Sequence, residues 1–492
     1  MIVDILAGRG NVNPLFVDRK GVATASDVLR CAEGLGTAFA ALDLAPSPRV
    51  GVVMPNDRTL ACVILASLIE CACAPMNPRL SEAEFIEAFE DLDLDAVIVG
   101  AGTDPAVQRA ASRCGVSILH VDAGGLIDHV SAGHRRGDHG EGHSLLLRTS
   151  GTTAQPKLVG LSASNLMSSA QAVATSLQLE AEDRALCVMP LFHIHGIVGM
   201  LVSSVFSGGS VDVRPGFDPA DVRRGLLDPH VTWMSAAPSM YAALMLHPER
   251  IRTNGRFRVV RSSSAALPDS VWNDAESVLG CPLLNAYGMT EASHQMASNP
   301  LPPHRRIVGT VGPGAGAQVA VLVDGHLTTA ADVRGEIVVK GPGVMARYIS
   351  PASANDHAWH DGWLRTGDTG CLDESGYLTL HGRIKEIINV AGEKVSPFEV
   401  EAAMLLHPDV TDAVAFAVPD RLRGERVAAA VVLRTGCSGL DEAALRRFIG
   451  DRMVNFKVPR RIVALDRIPL GPTGKVQRMA LAHVLAKELS DG

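Results

Sequence analysis

Thr149, Ser150, Gly151, Thr152 and Thr153 crowd four hydroxyls and a glycine into one short stretch, and Lys157 follows close behind. Successive backbone N–H groups of such a small-residue loop can converge on an anion while the hydroxyls donate beside them. Lys157 adds a full positive charge, and Pro156 fixes the backbone before it. This is phosphate-binding chemistry, although an ordinary polar strand-to-helix turn can share the composition. No G-x-x-x-x-G-K-[ST] loop occurs in the chain.

Further on, Asn285-Ala286-Tyr287-Gly288-Met289-Thr290-Glu291 sets a ring able to stack on a base just before a hydroxyl and a carboxylate. Glu291 offers the hard oxygen that a metal–phosphate site requires. The small-residue stretch Ser262–Ala266, with Ser264 and Ala265, precedes it. Pro190–Gly196 carries His193 and His195, which face one side if the stretch is extended and also suit an ordinary core or turn. Trp363–Asp368 ends in a carboxylate able to accept from both hydroxyls of a sugar, and Arg383 offers a planar fork for the same group. Near the end, Gly471-Pro472-Thr473-Gly474-Lys475 presents a lysine on a tight turn, a placement that a solvated tail lysine shares.

The elements that must position these groups read as alternating strands and helices. Leu145–Leu147 is a short buried strand leading into the hydroxyl loop, and Ser162 or Ser164 caps a helix running to about Leu179. Residues 21–45 have helical spacing. Arg49–Met54, Asp57–Glu70 and Ala72–Met76 form a βαβ unit, continued by strands at Asp95–Val99 and Ser117–Val121. Gly133–Gly142 reads as a mobile loop. After about residue 305 the character becomes β-rich, with strands at Gln318–Val323 and Gly335–Val339, and a compact α+β tail follows Lys385. The expected architecture is α/β: residues 1–384 as a large domain of mixed layers plus a β-rich subdomain, and 385–492 as a small mobile α+β domain.

With 492 residues, 47% hydrophobic and 20% charged, the chain is a folded protein of more than one core. A net charge of −8 gives no reason to expect nucleic acid or an anionic membrane as partner. Nine scattered cysteines without metal-ligand spacing fit reduced thiols, and Met1-Ile2-Val3-Asp4 lacks a basic leader, so a cytoplasmic location is expected. The apolar stretch near 60–76 is interrupted by Glu70 and too short to span a bilayer. Oligomeric state is not readable.

In order and spacing, these motifs resemble the set of the AMP-forming acyl-CoA synthetases, the adenylate-forming superfamily that includes luciferases and peptide-synthetase adenylation domains. The likeness spans roughly residues 50–480, and the hydroxyl loop departs from the usual [ST]-S-G-T-T-G-x-P-K once, at Ala154. The resemblance implies ATP, Mg²⁺ and coenzyme A as partners of a small carboxylate. By the same likeness, Thr149, Ser150, Gly151, Thr153, Ala265, Tyr287, Gly288, Thr290, Asp368, Arg383 and Gly392 surround the nucleotide and thiol. Thr152 and Glu291 lie near the metal, Lys157 near the phosphates, Lys385 at a hinge, and Lys475 drives adenylation. Two anions must meet when a carboxylate attacks the α-phosphate, which accounts for the cations. Two chemistries with different geometric needs account for a mobile second domain.

No G-G-x-S attachment serine follows the adenylation region, so the thiol is expected from outside: free coenzyme A, with a carrier protein as the alternative. Thr290–Pro302 and Pro190–Gly196 look most like the oxalate–CoA ligase branch. Oxalate keeps a carboxylate beside the reacting one, and His193, His195, Ser264 and His294 are the expected donors to it. A different carboxylic acid, such as a fatty acid, is the alternative substrate. A nucleotide-binding pseudoenzyme is disfavoured because Lys475, Glu291, Thr152 and Asp368 are all present.

Overall fold

The computed structural model describes residues 2–9, 13–134, 137, 139, 142–149, 156–420, 422–434, 436–437, 439–469, 478, 481–482 and 485. The chain packs as two units, one of residues 1–319 with 339–364, the other of 320–338 with 365–492.

Among the described residues, the first unit contains two eight-stranded sheets flanked by helices. One runs in space Tyr348–Ser350, Lys157–Leu161, Leu145–Thr149, Ala72–Pro75, Arg49–Val53, Ala96–Gly100, Ser117–Val121, Ile127–Ser131. Its strands Ala72–Pro75, Arg49–Val53, Ala96–Gly100 and Ser117–Val121 are parallel and mostly buried on both faces, so they read as apolar runs. The βαβ unit falls where its sequence places it. Helix Arg58–Glu70 is apolar all round because it is buried, and Asp57 caps it by accepting from Leu60 N at 3.0 Å.

The second sheet runs His294–Ser298, Leu283–Met289, Val259–Ser262, Trp233–Ala236, Arg184–Cys187, Ser210–Val213, Pro14–Asp18, Gly21–Thr24. The helical spacing at 21–45 begins later than expected. Gly21–Thr24 pairs with Pro14–Asp18, and the helix Ala25–Ala41 starts at Thr24, whose N–H is accepted by Asp27 at 2.7 Å. Ser162 caps Ala163–Leu177 through a reciprocal pairing with Asn165. Half of the Gly133–Gly142 stretch lies outside the described residues.

In the second unit, Gln318–Val323 and His326–Thr328 form a hairpin, and Trp363–Leu372 pairs antiparallel with Leu378–Arg383. Past residue 385, strands Ile388–Val390, Glu393–Val395, Val410–Asp420, Gly424–Leu433 and Arg461–Ala464 make a sheet over helices Pro397–Leu405 and Glu442–Gly450. Met404, Ile449 and Val431 lie in the core between them. No helix among the described residues is long and apolar enough to cross a membrane.

Candidate functional site

The hydroxyl loop hangs between two strands whose last pair is Thr149 opposite Lys157. Thr149 Oγ1 lies 3.4 Å from Lys157 O, so the two ends of the loop are held together. Ser150, Gly151, Thr152 and Thr153 lie outside the described residues, as does Lys475. Lys157 Nζ stands 4.4 Å from the centroid of the Tyr348 ring. Tyr348 in turn donates its hydroxyl to Glu291 Oε1 at 2.8 Å, with both side chains buried. The structure thus joins two expected residues, Lys157 and Glu291, through a tyrosine that motif reading missed.

Several backbone contacts fix Glu291. Its carbonyl accepts from Met345 N at 2.8 Å, and Ser293 Oγ donates to Gly343 O at 2.7 Å. Asn165, at the start of the capped helix, donates to Pro342 O and Val344 O at 2.7 and 3.2 Å. Asn355 grips the backbone of Tyr348 from both sides. The helix cap, the 342–345 loop and the carboxylate are therefore one hydrogen-bonded assembly.

Tyr287, Gly288 and Met289 end one strand of a hairpin, Thr290 opens the short turn Thr290–Ala292, and His294 begins the partner strand. The turn is tight: a Cβ on Gly288 would sit 1.5 Å from His294 O, so only glycine fits. Ser293 and His294 both have positive φ, 54° and 104°, a conformation that packing must hold in place. Ser264, at φ 79°, follows the strand Val259–Ser262, with Ala265 exposed beside it.

Pro190–Gly196 is not extended, and the reading of its histidines as core or turn residues holds. His193 N donates to Pro190 O and Ile197 N to His193 O, so the segment turns and enters a helix whose stretch Ile197–Val202 is a π-helix. The two histidines therefore do not share a strand face. His193 is half-buried with its ring 4.4 Å from that of Phe192, whereas His195 is buried and stacks on His294 at 4.9 Å between ring centroids. Gly199 makes room for this stack, since a Cβ there would lie 2.5 Å from His294 Nε2. His195 hydrogen-bonds Ser264 Oγ through Nδ1 at 2.9 Å and Ser235 Oγ through Nε2 at 2.7 Å. His294 Nε2 is buried with no hydrogen-bond partner among the described residues. Burial, helped by Arg261 and His195, holds the His294 imidazole well below its ordinary pKa, so it is neutral.

Arg261 was also missed. Its side chain is fully buried on the strand Val259–Ser262, donating to Ser235 Oγ at 3.3 Å and to Gln295 Oε1 at 3.1 Å. An arginine inside a short apolar strand was the available signal. Burial lowers its pKa to about 10, which leaves it charged.

In the second unit, Asp368 and Arg383 face each other across the ladder and ion-pair at 3.0 Å. Lys385 is exposed in the short turn Ile384–Glu386. Its neighbour Glu386 accepts from Arg478 at 3.1 Å, and Arg478 also grips both oxygens of Glu401 at 2.8 Å. Gly392 takes φ 94° after Ala391 at 54°, closing a two-residue hairpin between Val390 and Glu393.

Residues 8–349 match the AMP-binding enzyme family, and 399–475 match the AMP-binding enzyme C-terminal domain. The chain is 39% identical to an oxalate–CoA ligase of Saccharomyces cerevisiae, over 89% of this chain and 87% of the relative. It is 34% identical to a sulfoacetate–CoA ligase of Cupriavidus necator, over 91% and 90%. Its fold matches the ATP-bound crystal structure of MatB from Rhodopseudomonas palustris with a TM-score of 0.89 at 25% identity, covering 99% of each chain.

Proposed function

The chain belongs to the AMP-binding enzyme family and is an AMP-forming acid–CoA ligase, and on that premise we propose that the acid it activates is oxalate. The observation that carries this reading is the buried His195–His294 stack with Ser264. It is a cluster of buried polar side chains, and one ring nitrogen in it lacks a hydrogen-bond partner among the described residues. Hydroxyl and imidazole donors suit a carboxylate that stays charged while its neighbour reacts. A fatty acid would leave the His294 nitrogen unsatisfied.

In the first half-reaction an oxalate oxygen attacks the α-phosphate of ATP, and pyrophosphate leaves. Lys157, the hydroxyl loop from Thr149 to Thr153, and Lys475 oppose the charge that gathers when the two anions meet. Tyr287, Gly288, Thr290 and Ala265 border the nucleotide, and Asp368 with Arg383 hold its ribose. Glu291 fits a magnesium ion: its Oε1 is held by Tyr348, and Oε2 has no partner among the described residues. Magnesium characteristically takes one or two protein carboxylates and completes its shell with phosphates and water. Thr152 is the second proposed ligand. Bound there, the ion would neutralise phosphate charge. In the second half-reaction the thiol of coenzyme A, entering past Gly392, attacks the acyl-adenylate carbonyl and AMP departs. The turn that alternates the chain between the two steps is proposed at Lys385.

The test is ATP–pyrophosphate exchange over a panel of oxalate, sulfoacetate, acetate and medium-chain acids, with coenzyme A and a carrier protein compared as acceptors. Oxalate is expected to give the highest kcat/KM. His294→Ala should raise the KM for oxalate about 10- to 100-fold, as loss of one hydrogen bond to a charged group does, with the KM for ATP unchanged. A wild-type preference for acetate or a fatty acid overturns the pocket assignment while the ligase class stands.

A further inference from the structure

Charged side chains are almost never fully buried unless paired, because withdrawing the charge from water is strongly unfavourable. The other buried arginine of this unit obeys that rule: Arg214 is ion-paired with both Asp212 and Asp221. Arg261 does not. Its exposure is 0%, its partners are a serine hydroxyl and a glutamine oxygen, and its Nε has none. No carboxylate among the described residues pairs with it. Glutamine stands where a glutamate of the same shape would have neutralised the charge.

The surroundings say what the charge is for. Ser235 Oγ, which accepts from Arg261, also hydrogen-bonds His195 Nε2, so a single hydroxyl separates the guanidinium from the stacked imidazoles. Gln295 follows His294 directly in the hairpin strand, and its amide donates to Ser176 Oγ at 2.9 Å, which aims its oxygen at Arg261. The fold thus places one uncompensated positive charge behind the donors His195, His294 and Ser264.

We infer that Arg261 is a specificity-determining residue whose counter-ion is the substrate: it selects acids that keep a second anionic group after activation. This inference rests on the proposed substrate site. The guanidinium lies behind the donors and acts through the field it sets up. A monocarboxylate loses its only charge when its oxygen joins the α-phosphate, so it leaves Arg261 uncompensated. Oxalate, or an acid bearing a sulfonate, retains an anion there and offsets the buried charge.

The experiment compares kcat/KM of ATP–pyrophosphate exchange with oxalate and with acetate for wild type, Gln295→Glu, Arg261→Met and Arg261→Lys. Gln295→Glu supplies the missing counter-ion without changing shape, and adds an ion pair to the fold. It is expected to lower the oxalate-to-acetate ratio by on the order of 30-fold, mainly through the KM for oxalate. Arg261→Met should lower the ratio similarly, and Arg261→Lys should restore most of it. Should Arg261→Met fail to fold, Gln295→Glu carries the test, because a purely structural arginine would be served at least as well by glutamate. A wild type that prefers oxalate with an unchanged ratio in Gln295→Glu overturns the inference and leaves the substrate assignment standing. A wild type that prefers acetate overturns the substrate assignment, and this inference with it.

Discussion

Tyr348→Phe removes one oxygen and isolates one contact. The lost hydrogen bond is 2.8 Å long, ends on a carboxylate, and lies between side chains that are both buried. Bonds of that kind contribute about 1.5–3 kcal/mol, equivalent to roughly 10- to 150-fold in rate or affinity. The ring remains, so Lys157 keeps its place over it. We therefore expect kcat/KM for ATP–pyrophosphate exchange to fall by about that factor, with more magnesium needed for half-maximal rate because Glu291 is no longer held. Thioester formation from supplied acyl-adenylate should change far less, since the phosphate charge that the proposed magnesium ion would offset has already gone with pyrophosphate. Pairing the change with Glu291→Gln gives a double-mutant cycle, in which coupling of at least about 1 kcal/mol is expected. If Tyr348→Phe stays within twofold of wild type at every magnesium concentration while Glu291→Gln is crippled, the tyrosine does not orient the carboxylate.

Lys475→Ala should reduce adenylate formation by at least about 3 kcal/mol of barrier while sparing thioester formation, as separate assays of the half-reactions will tell. Lys385→Pro should stop one half-reaction and spare the other, because proline would fix φ at the proposed hinge; equal loss of both counts against alternation. His294 is neutral when folded and protonates in the unfolded chain near pH 6.5, so the unfolded state binds more protons below that pH. Stability is therefore expected to fall as pH drops below about 6.5, by up to about 1.4 kcal/mol per unit from this group. His294→Gln should flatten that slope in melting-temperature profiles, and an unchanged profile would show that the imidazole is not buried as described.

What could be read directly from the residues was whatever local chemistry decides. The buried run at Leu145–Leu147, the cap at Ser162 and the strand Ser117–Val121 all fall where apolar pattern and capping residues put them. The stretch at Pro190–Val202 was ambiguous for a physical reason: from Ile194 to Val202 every residue is buried, so neither a two-residue nor a 3.6-residue period shows through. Tyr348 could not be found by spacing, because its bond to Glu291 joins positions 57 residues apart. Nothing local in Arg261 announces that its charge is uncompensated. That emerges only when Ser235 and Gln295 arrive from other strands.

The interleaving of the two units bears on how such genes can be cut and rejoined. The chain passes between them at residues 319–320, 338–339 and 364–365. A recombination crossover between the first and last passages separates the inserted strands from the rest of their unit, so the hybrid inherits a ladder assembled from two parents. A crossover at or beyond residue 385 leaves the Asp368–Arg383 ladder with a single parent. Exchange of carboxy-terminal segments among relatives should therefore tolerate junctions there and fail upstream, so the permitted seams in the gene are set by chain topology rather than by sequence identity.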